Sequence, residues 1–445
     1  MEDESIGSPS TTRNLRPLRD FLATESGSGV LLAASAVTAL AWANSPWSRS
    51  YVDLWSSSAS VSVAGHTLEL DLQHWINDGL MAIFFLVVGL EIKRELASGH
   101  LSTRKAALLP VAAAIGGMVM PALIYLAIAG GTAAQGWAIP MATDIALAVG
   151  VVAVAGSRVK PSLRVFLLGL AIVDDIGAII IIAVFYTDDV TWSWLATAAA
   201  VLFATAAAHR MGVRRATVFV VLGVALWLSL HEAGVHATLA GVALGLLAPS
   251  RPHLTPEFID ADELADVSSV KAAQATTEIA RASVSDVEWL QHVLHPWTSY
   301  LIVPLFALAN TGIEISSTGL GDAARSPITW AIIAGLVIGK PLGIIVSSRL
   351  AVRAGIAAAP EGAAGRQMLG IGSAAGIGFT VALFITELAF DDPARQADAK
   401  LAVLVASVMA AVVAAVLLLT ENPAPENAAP ENAAKGDAPR STPLR

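Results

Sequence analysis

Apolar stretches close to bilayer length, separated by short polar breaks, run through most of the chain. A membrane-spanning helix needs about 20 mainly apolar residues. Twelve stretches meet or approach that length: 22–44, 73–95, 107–129, 135–156, 163–187, 192–209, 215–231, 234–249, 290–313, 328–352, 366–390 and 398–420. The eighth is short, and glycine, proline or polar residues interrupt the fourth and the eleventh. The pattern predicts an all-α polytopic membrane protein of twelve transmembrane helices. One segment has a different period. VSVAGHTLELD, residues 61–71, alternates apolar and polar positions around Ala64-Gly65 and predicts an external β-hairpin. Its free edge can pair with a second copy.

Composition supports the membrane reading. Of 445 residues, 55% are hydrophobic and 14% charged. Soluble domains carry about 25% charged residues, so a soluble multidomain enzyme is excluded. The mean hydropathy is +0.66. No basic stripe with interleaved aromatics suggests nucleic-acid binding. There is no cysteine, which rules out disulfide and thiol chemistry. Residues 1–17, and the Pro-, Ala- and Glu-rich 421–445, read as disordered cytoplasmic tails. The long segment 250–289 reads as a cytoplasmic loop.

The basic residues orient the spans. With the N-terminus inside, 22 of the 27 Lys and Arg fall on the cytoplasmic side and four outside (Arg49, Arg325, Arg395 and Lys400). Both ends are thereby expected in the cytoplasm of a cell that holds the protein in its plasma (inner) membrane. The one basic residue left over, Lys340, falls in the middle of the tenth span. Asp174 and Asp175, in AIVDDIGAII, fall at the same depth in the fifth.

A charge at the bilayer centre costs about 2.5–3.5 kcal/mol on insertion scales, so such residues normally face a partner or a water-filled cavity. A static ion pair with Lys340 accounts for one aspartate. It does not account for two, because adjacent helix positions point about 100° apart. Two neighbouring carboxylates in a low dielectric cannot both stay ionised without compensation, and they titrate as a coupled pair. A small hard cation supplies that compensation through oxygen ligands. Proton and cation then compete for the same oxygens, which is the physical core of an exchanger.

The fourth span, GWAIPMATDIALAVG, carries a second clue. Pro140 disfavours helix before it, and Thr143 and Asp144 follow at mid-depth. A helix broken at the midplane exposes carbonyls and amides to ions. Asp144 can also serve simply as a cap, a role compatible with ion binding. The eleventh span has Gly370, Gly372, Gly376 and Gly378. Spans three to five and ten to twelve, residues 107–187 and 328–420, are equal in number and opposite in orientation. An inverted repeat with a discontinuous helix second in each trio is therefore expected, the two crossing at the midplane. Asp78, near the outer end of the second span, lines an approach or faces headgroups. Glu91 closes the same helix inside, where a snorkelling charged end is an equally ordinary reading. His236 begins the eighth span outside and can titrate near neutral pH.

WINDGLMAIFFLVVGLEIKREL, IPMATDIALAVG, AIVDDIGAIIIIAVFYT, GVHATLAGV, HVLHPWTSYLIVPLFALANTG, IGKPLGI and GIGFT, in this order, resemble the NhaA-type sodium/proton antiporters from about residue 18 to 420. The resemblance implies export of Na+ or Li+ against two entering protons, by alternating access and with net charge movement, for Na+ and pH homeostasis. It implies no cofactor and no enzymatic activity. Asp175 is then the principal cation ligand, and Asp174 beside it a proton carrier or the partner of Lys340. Thr143 becomes part of the Na+ site. Asp144 and Lys340 balance the crossed half-helices, and Asp78 lies in an external funnel. Glu91 belongs with the cytoplasmic entrance and, together with His236, with the pH response. The family's homodimer forms through an external hairpin, which 61–71 resembles. One departure is Gln291, where an acidic residue is expected before HVLHPW; a shifted or weaker alkaline activation follows.

An intramembrane aspartyl protease needs two aspartates converging from separate elements, and these are adjacent and diverging. A sodium-coupled solute symporter or a cation channel remains as the alternative. A symporter needs a pocket for an organic solute, and no polar or aromatic cluster suggests one. A channel has no need of a buried lysine facing coupled acids.

Overall fold

The computed structural model describes residues 16–63, 66–187, 190–213, 215–252, 283–360 and 365–420. Residues 1–15 of the expected N-terminal tail, the expected tail at 421–445 and most of the expected 250–289 loop lie outside the described residues. Elsewhere the apolar stretches fold as helices. In chain order they begin with α1 (Arg16–Ala43) and α2 (Ser48–Trp55), followed by the antiparallel strands β1 (Ser58–Val63) and β2 (His66–Asp71). Next come α3 (Leu72–Ala97), α4 (Arg104–Ala133), the 3-10 turns Ala134–Met141, α5 (Ile145–Val154) and α6 (Pro161–Phe185). The middle of the chain forms α7 (Trp192–Arg210), α8 (Ala216–Glu232), α9 (Leu239–Leu247), α10 (Asp286–Trp297) and α11 (Val303–Asn310). The surface helix α12 (Ser317–Arg325) precedes α13 (Pro327–Arg353), α14 (Gly365–Ala375), α15 (Phe379–Ala389) and α16 (Pro393–Leu419).

Among the described residues, seven helices are long and apolar enough to cross a membrane, or nine if each bent pair counts as one span. The bent pairs are α1 with α2, at 115°, and α14 with α15, at 46°. The chain is an all-α polytopic membrane protein with one small hairpin. Val184, Phe203, Val220 and Val412 point outward with more than half their surface exposed. Hydrocarbon rather than water is the solvent that tolerates such a surface. The expected eighth span is short because GVHAT forms a turn and only α9 is helical. It is held by close backbone packing against α3, where a Cβ on Gly245 would lie 2.7 Å from the Leu86 carbonyl oxygen.

Two trios of helices position the site. In the first, α4 and α6 flank the interrupted run from Ala134 to Val154; in the second, α13 and α16 flank α14 and α15. The fourth span breaks just after Pro140, at Ala142–Asp144, which are extended. The eleventh breaks at Gly376–Gly378, between α14 and α15. Close backbone contact requires glycine at Gly376 and leaves little room for a side chain at Gly378. A Cβ on Gly376 would sit 2.5 Å from the Leu336 carbonyl oxygen, and one on Gly378 3.2 Å from that of Ala142. Three π-helical turns widen the spans, at Trp75–Leu80, Thr298–Ile302 and Gly335–Gly339. The last leads directly into Lys340-Pro341, where proline has no N–H to offer a regular ladder.

Candidate ion-binding site

The two breaks meet through their backbones. The Asp144 amide donates to the Ile377 carbonyl at 2.6 Å. Asp144 caps both half-helices that start there. Its Oδ1 accepts from the Leu147 amide of α5 at 3.0 Å. Its Oδ2 accepts from the Thr380 amide at 3.1 Å and the Thr380 hydroxyl at 2.7 Å, both on α15. A carboxylate at two helix N-termini meets unpaired amides and two positive dipole ends at once.

The opposite ends expose carbonyls. The Met141 carbonyl, last in its 3-10 run, accepts from Lys340 Nζ. The Ala375 carbonyl, last in α14, lies 2.9 Å from the Thr143 hydroxyl. Lys340 and Asp144 therefore place opposite charges at opposite dipole ends of the interrupted segments.

Lys340 has a second partner. Its Nζ is 2.5 Å from Asp174 Oδ2, and the side chains are 0% and 1% exposed. Thr143 Oγ1 is also 2.5 Å from that oxygen, whereas Asp174 Oδ1 has no hydrogen-bond partner. Asp175, one position along α6, points elsewhere. It lines a cavity of about 80 Å³ together with Glu91, Thr143, Asp144, Ser299 and Thr380. A volume of that size holds several waters, at roughly 10–15 Å³ of such volume each. The cavity also touches Ser28 and His295, so it extends toward the end of the bundle that carries Lys93 and Arg94.

Five of the residues singled out in the sequence thus converge: Thr143, Asp144, Asp174, Asp175 and Lys340. Glu91 joins them through the cavity. Asp78 and His236 do not. They lie toward the other end of α3, where His231, His74 and His236 are near enough to act electrostatically on the Asp78 carboxyl and Trp227 Nε1 donates to the Asp78 carbonyl at 2.9 Å. Gln291 is buried on α10, outside the cavity lining. Sequence reasoning missed Thr380 as a site residue, although it follows the glycine break in GIGFT. It also missed the Met141, Ala375 and Ile377 carbonyls, for which no side chain gives a signal.

The side chains lining the cavity offer mainly oxygens, carboxylates and hydroxyls, alongside the His295 imidazole. Among the described residues no group of three or more His, Cys, Asp or Glu is arranged to hold a metal ion. A set dominated by oxygens, with few fixed charges, suits a hard cation that binds and leaves.

Residues 19–418 match the family model described as Na+/H+ antiporter 1. The chain belongs to that family. Curated relatives are similar over almost their whole length. The Na(+)/H(+) antiporter NhaA of Rhodopirellula baltica is 46% identical over 426 residues, 93% of this chain and 96% of the relative. The Na(+)/H(+) antiporter NhaA 2 of Sorangium cellulosum is 45% identical over 409 residues, covering 88% and 87%. The Na(+)/H(+) antiporter NhaA of Oleidesulfovibrio alaskensis is 44% identical over 411 residues, covering 88% and 91%. The site described above lies within the matched span of this family member.

Proposed function

We propose that this Na+/H+ antiporter carries its cargo on Asp175, with Asp174, Thr143 and Lys340 completing the exchange site. One observation carries the reading: two adjacent buried carboxylates face different environments, Asp174 paired with Lys340 and Asp175 lining a cavity. Na+ (or Li+) entering past Glu91 displaces the proton from Asp175. It draws on the unpartnered Asp174 oxygen and the Thr143 hydroxyl as further ligands. Recruiting Asp174 weakens its bond to Lys340, and the second proton leaves from that pair. Two protons against one cation move net charge in each cycle. Because ion and protons exclude one another at the same oxygens, neither crosses without the other.

The architecture supports alternating access. Twelve spans with both termini cytoplasmic place the Glu91 end inside, so the cavity faces the cytoplasm of the cell that holds the protein in its plasma membrane. Residues 107–187 and 328–420 form an inverted repeat whose discontinuous helices cross at Asp144 and Thr380. A small rotation about extended breaks costs fewer hydrogen bonds than bending a regular helix. Asp78 lies in the approach from outside, with His236 beside it. Glu91 and His236 tune the response to pH from opposite faces, and the missing acid at Gln291 weakens or shifts alkaline activation. The hairpin β1–β2 joins two copies, a homodimer that cross-linking across the hairpin would reveal. No cofactor takes part.

The deciding experiment is calorimetry of Na+ binding to the purified protein in two buffers of different ionisation heat. The reading expects proton release on binding. Binding heats that do not depend on the buffer would overturn it.

A further inference from the structure

Five hydroxyl side chains line the cavity beside Asp175: Ser28, Thr143, Thr298, Ser299 and Thr380. Four of them are engaged within the protein. Thr143 bonds Asp174 Oδ2 and the Ala375 carbonyl, and Thr380 donates to Asp144 Oδ2. Thr298 donates to the His295 carbonyl at 2.9 Å, and Ser28 interacts with a neighbour as well. The half-buried Ser299 hydroxyl has no hydrogen-bond partner among the described residues.

That is a departure for a serine inside a membrane helix, whose hydroxyl ordinarily bonds the carbonyl four residues earlier. Elsewhere in this chain Thr38, Thr205, Ser229, Thr311 and Thr386 all do so, at 2.7–2.8 Å. For Ser299 that carbonyl belongs to His295, and the amide and the hydroxyl of Thr298 already occupy it. The backbone there is irregular. Thr298–Ile302 is a π-helical turn, closed by the Val303 amide on the Thr298 carbonyl. Such turns are rare and recur at functional sites. His295, Thr298, Ser299 and Val303, which lie on or beside the turn, all line the cavity.

We propose that Ser299 is a specificity-determining residue of the exchange, its hydroxyl oxygen coordinating the transported ion and favouring Na+ over Li+. This rests on the exchange site proposed above and adds a ligand to it. The ligands assigned there, Asp175, Asp174 and Thr143, come from α6 and the break before α5. A hard cation gathers oxygens on every side, so the remaining positions fall to water or to other helices. The span built from α10 and α11 brings an uncommitted oxygen to the same cavity. A neutral hydroxyl stabilises the ion without adding a charge that would hold it too long. It also takes no part in the protonation of the carboxyls. Na+ is larger than Li+ and accepts more ligands, so one further oxygen favours Na+ more.

The test compares Ser299→Ala with Ser299→Thr, which keeps the hydroxyl. Everted vesicles are assayed at fixed pH over a range of Na+ or Li+ concentrations, with a pH-sensitive dye. Loss of one neutral ligand should raise the Na+ KM about three- to tenfold, the scale of one net hydrogen bond. The Li+ KM should rise by a smaller factor, so that the ratio of the two shifts, and the maximal rate should stay near wild type. Ser299→Thr should keep both KM values near wild type. Ser348→Ala removes another buried hydroxyl without a partner, on α13 and outside the cavity lining. It should leave both KM values unchanged, whereas a general effect of deleting a hydroxyl would move them. An unchanged Na+ KM in Ser299→Ala, an equal rise for both ions, or a fall in maximal rate alone would overturn the assignment. If Asp175→Asn kept exchange while Ser299→Ala still raised the Na+ KM selectively, the exchange site would fail and Ser299 would stand as a ligand.

Discussion

Lys340 Nζ lies 2.5 Å from Asp174 Oδ2 in full burial, and Asp175, the next residue, faces the cavity instead. The roughly 100° between successive helix positions makes this division unavoidable. One lysine on a neighbouring helix can satisfy one of the two carboxyls, and the other must find a different counter-charge. That unequal pair is the structural basis for the outcomes expected below.

Asp175→Asn removes the charge that a cation would neutralise, while keeping shape and polarity. Na+-driven proton movement in everted vesicles, followed with a pH-sensitive dye, should fall by at least about 100-fold, the scale expected when a buried charge loses its partner. Membrane insertion and elution as a single species should persist. Normal exchange by this variant would place the ion elsewhere.

Lys340→Met leaves Asp174 buried with its Oδ1 already lacking a partner. Breaking a buried pair costs about 3–5 kcal/mol, whereas replacing both partners is often neutral. The melting temperature in detergent should therefore drop sharply for Lys340→Met. It should recover in the double variant with Asp174→Asn, which still fails to transport. Equal stability of the single and double variants would show that the pair contributes little.

Asp144 caps α5 and α15 together. Loss of an N-cap costs about 1 kcal/mol, up to 2, and asparagine caps nearly as well as aspartate. Thermal unfolding should rank wild type above Asp144→Asn and Asp144→Asn above Asp144→Ala. Thr380→Val, which removes one hydrogen bond to the same carboxylate, should cost about 1 kcal/mol. A destabilised Asp144→Asn with unaffected Thr380→Val would mean that charge, rather than capping, matters there.

Protonation and Na+ binding at one carboxyl group are mutually exclusive, which fixes the sign of the pH effect. Acid favours the proton, so the apparent KM for Na+ should rise as pH falls. The slope should approach a factor of about ten per pH unit for each competing proton. Transport rates over a matrix of pH and Na+ concentration test this. A KM independent of pH would refute direct competition.

Hydrophobic length, the loop charges and the isolated polar residues were legible without coordinates. Burying a backbone in hydrocarbon demands helices of a set length, and a midplane charge stands out because it is costly. The stretch AIVDDIGAII and the lone mid-span Lys340 therefore pointed to residues that the fold brings together, Asp174 and Lys340 in direct contact. Other features had no signature in one dimension. Main-chain carbonyls such as Met141 and Ala375 are present at every residue, and only folding decides which are left without a helical partner. The choice of Asp174 over Asp175 for Lys340 depends on how α6 is rotated against α13. Thr380 became a cap partner only because two breaks far apart in the chain come into contact. Periodicity and charge act locally, so they set which segments enter the membrane and which residues are out of place there. The rotation of each helix and the set of side chains that lines the cavity beside Asp175 come from packing across the whole bundle, and those relations exist only in three dimensions.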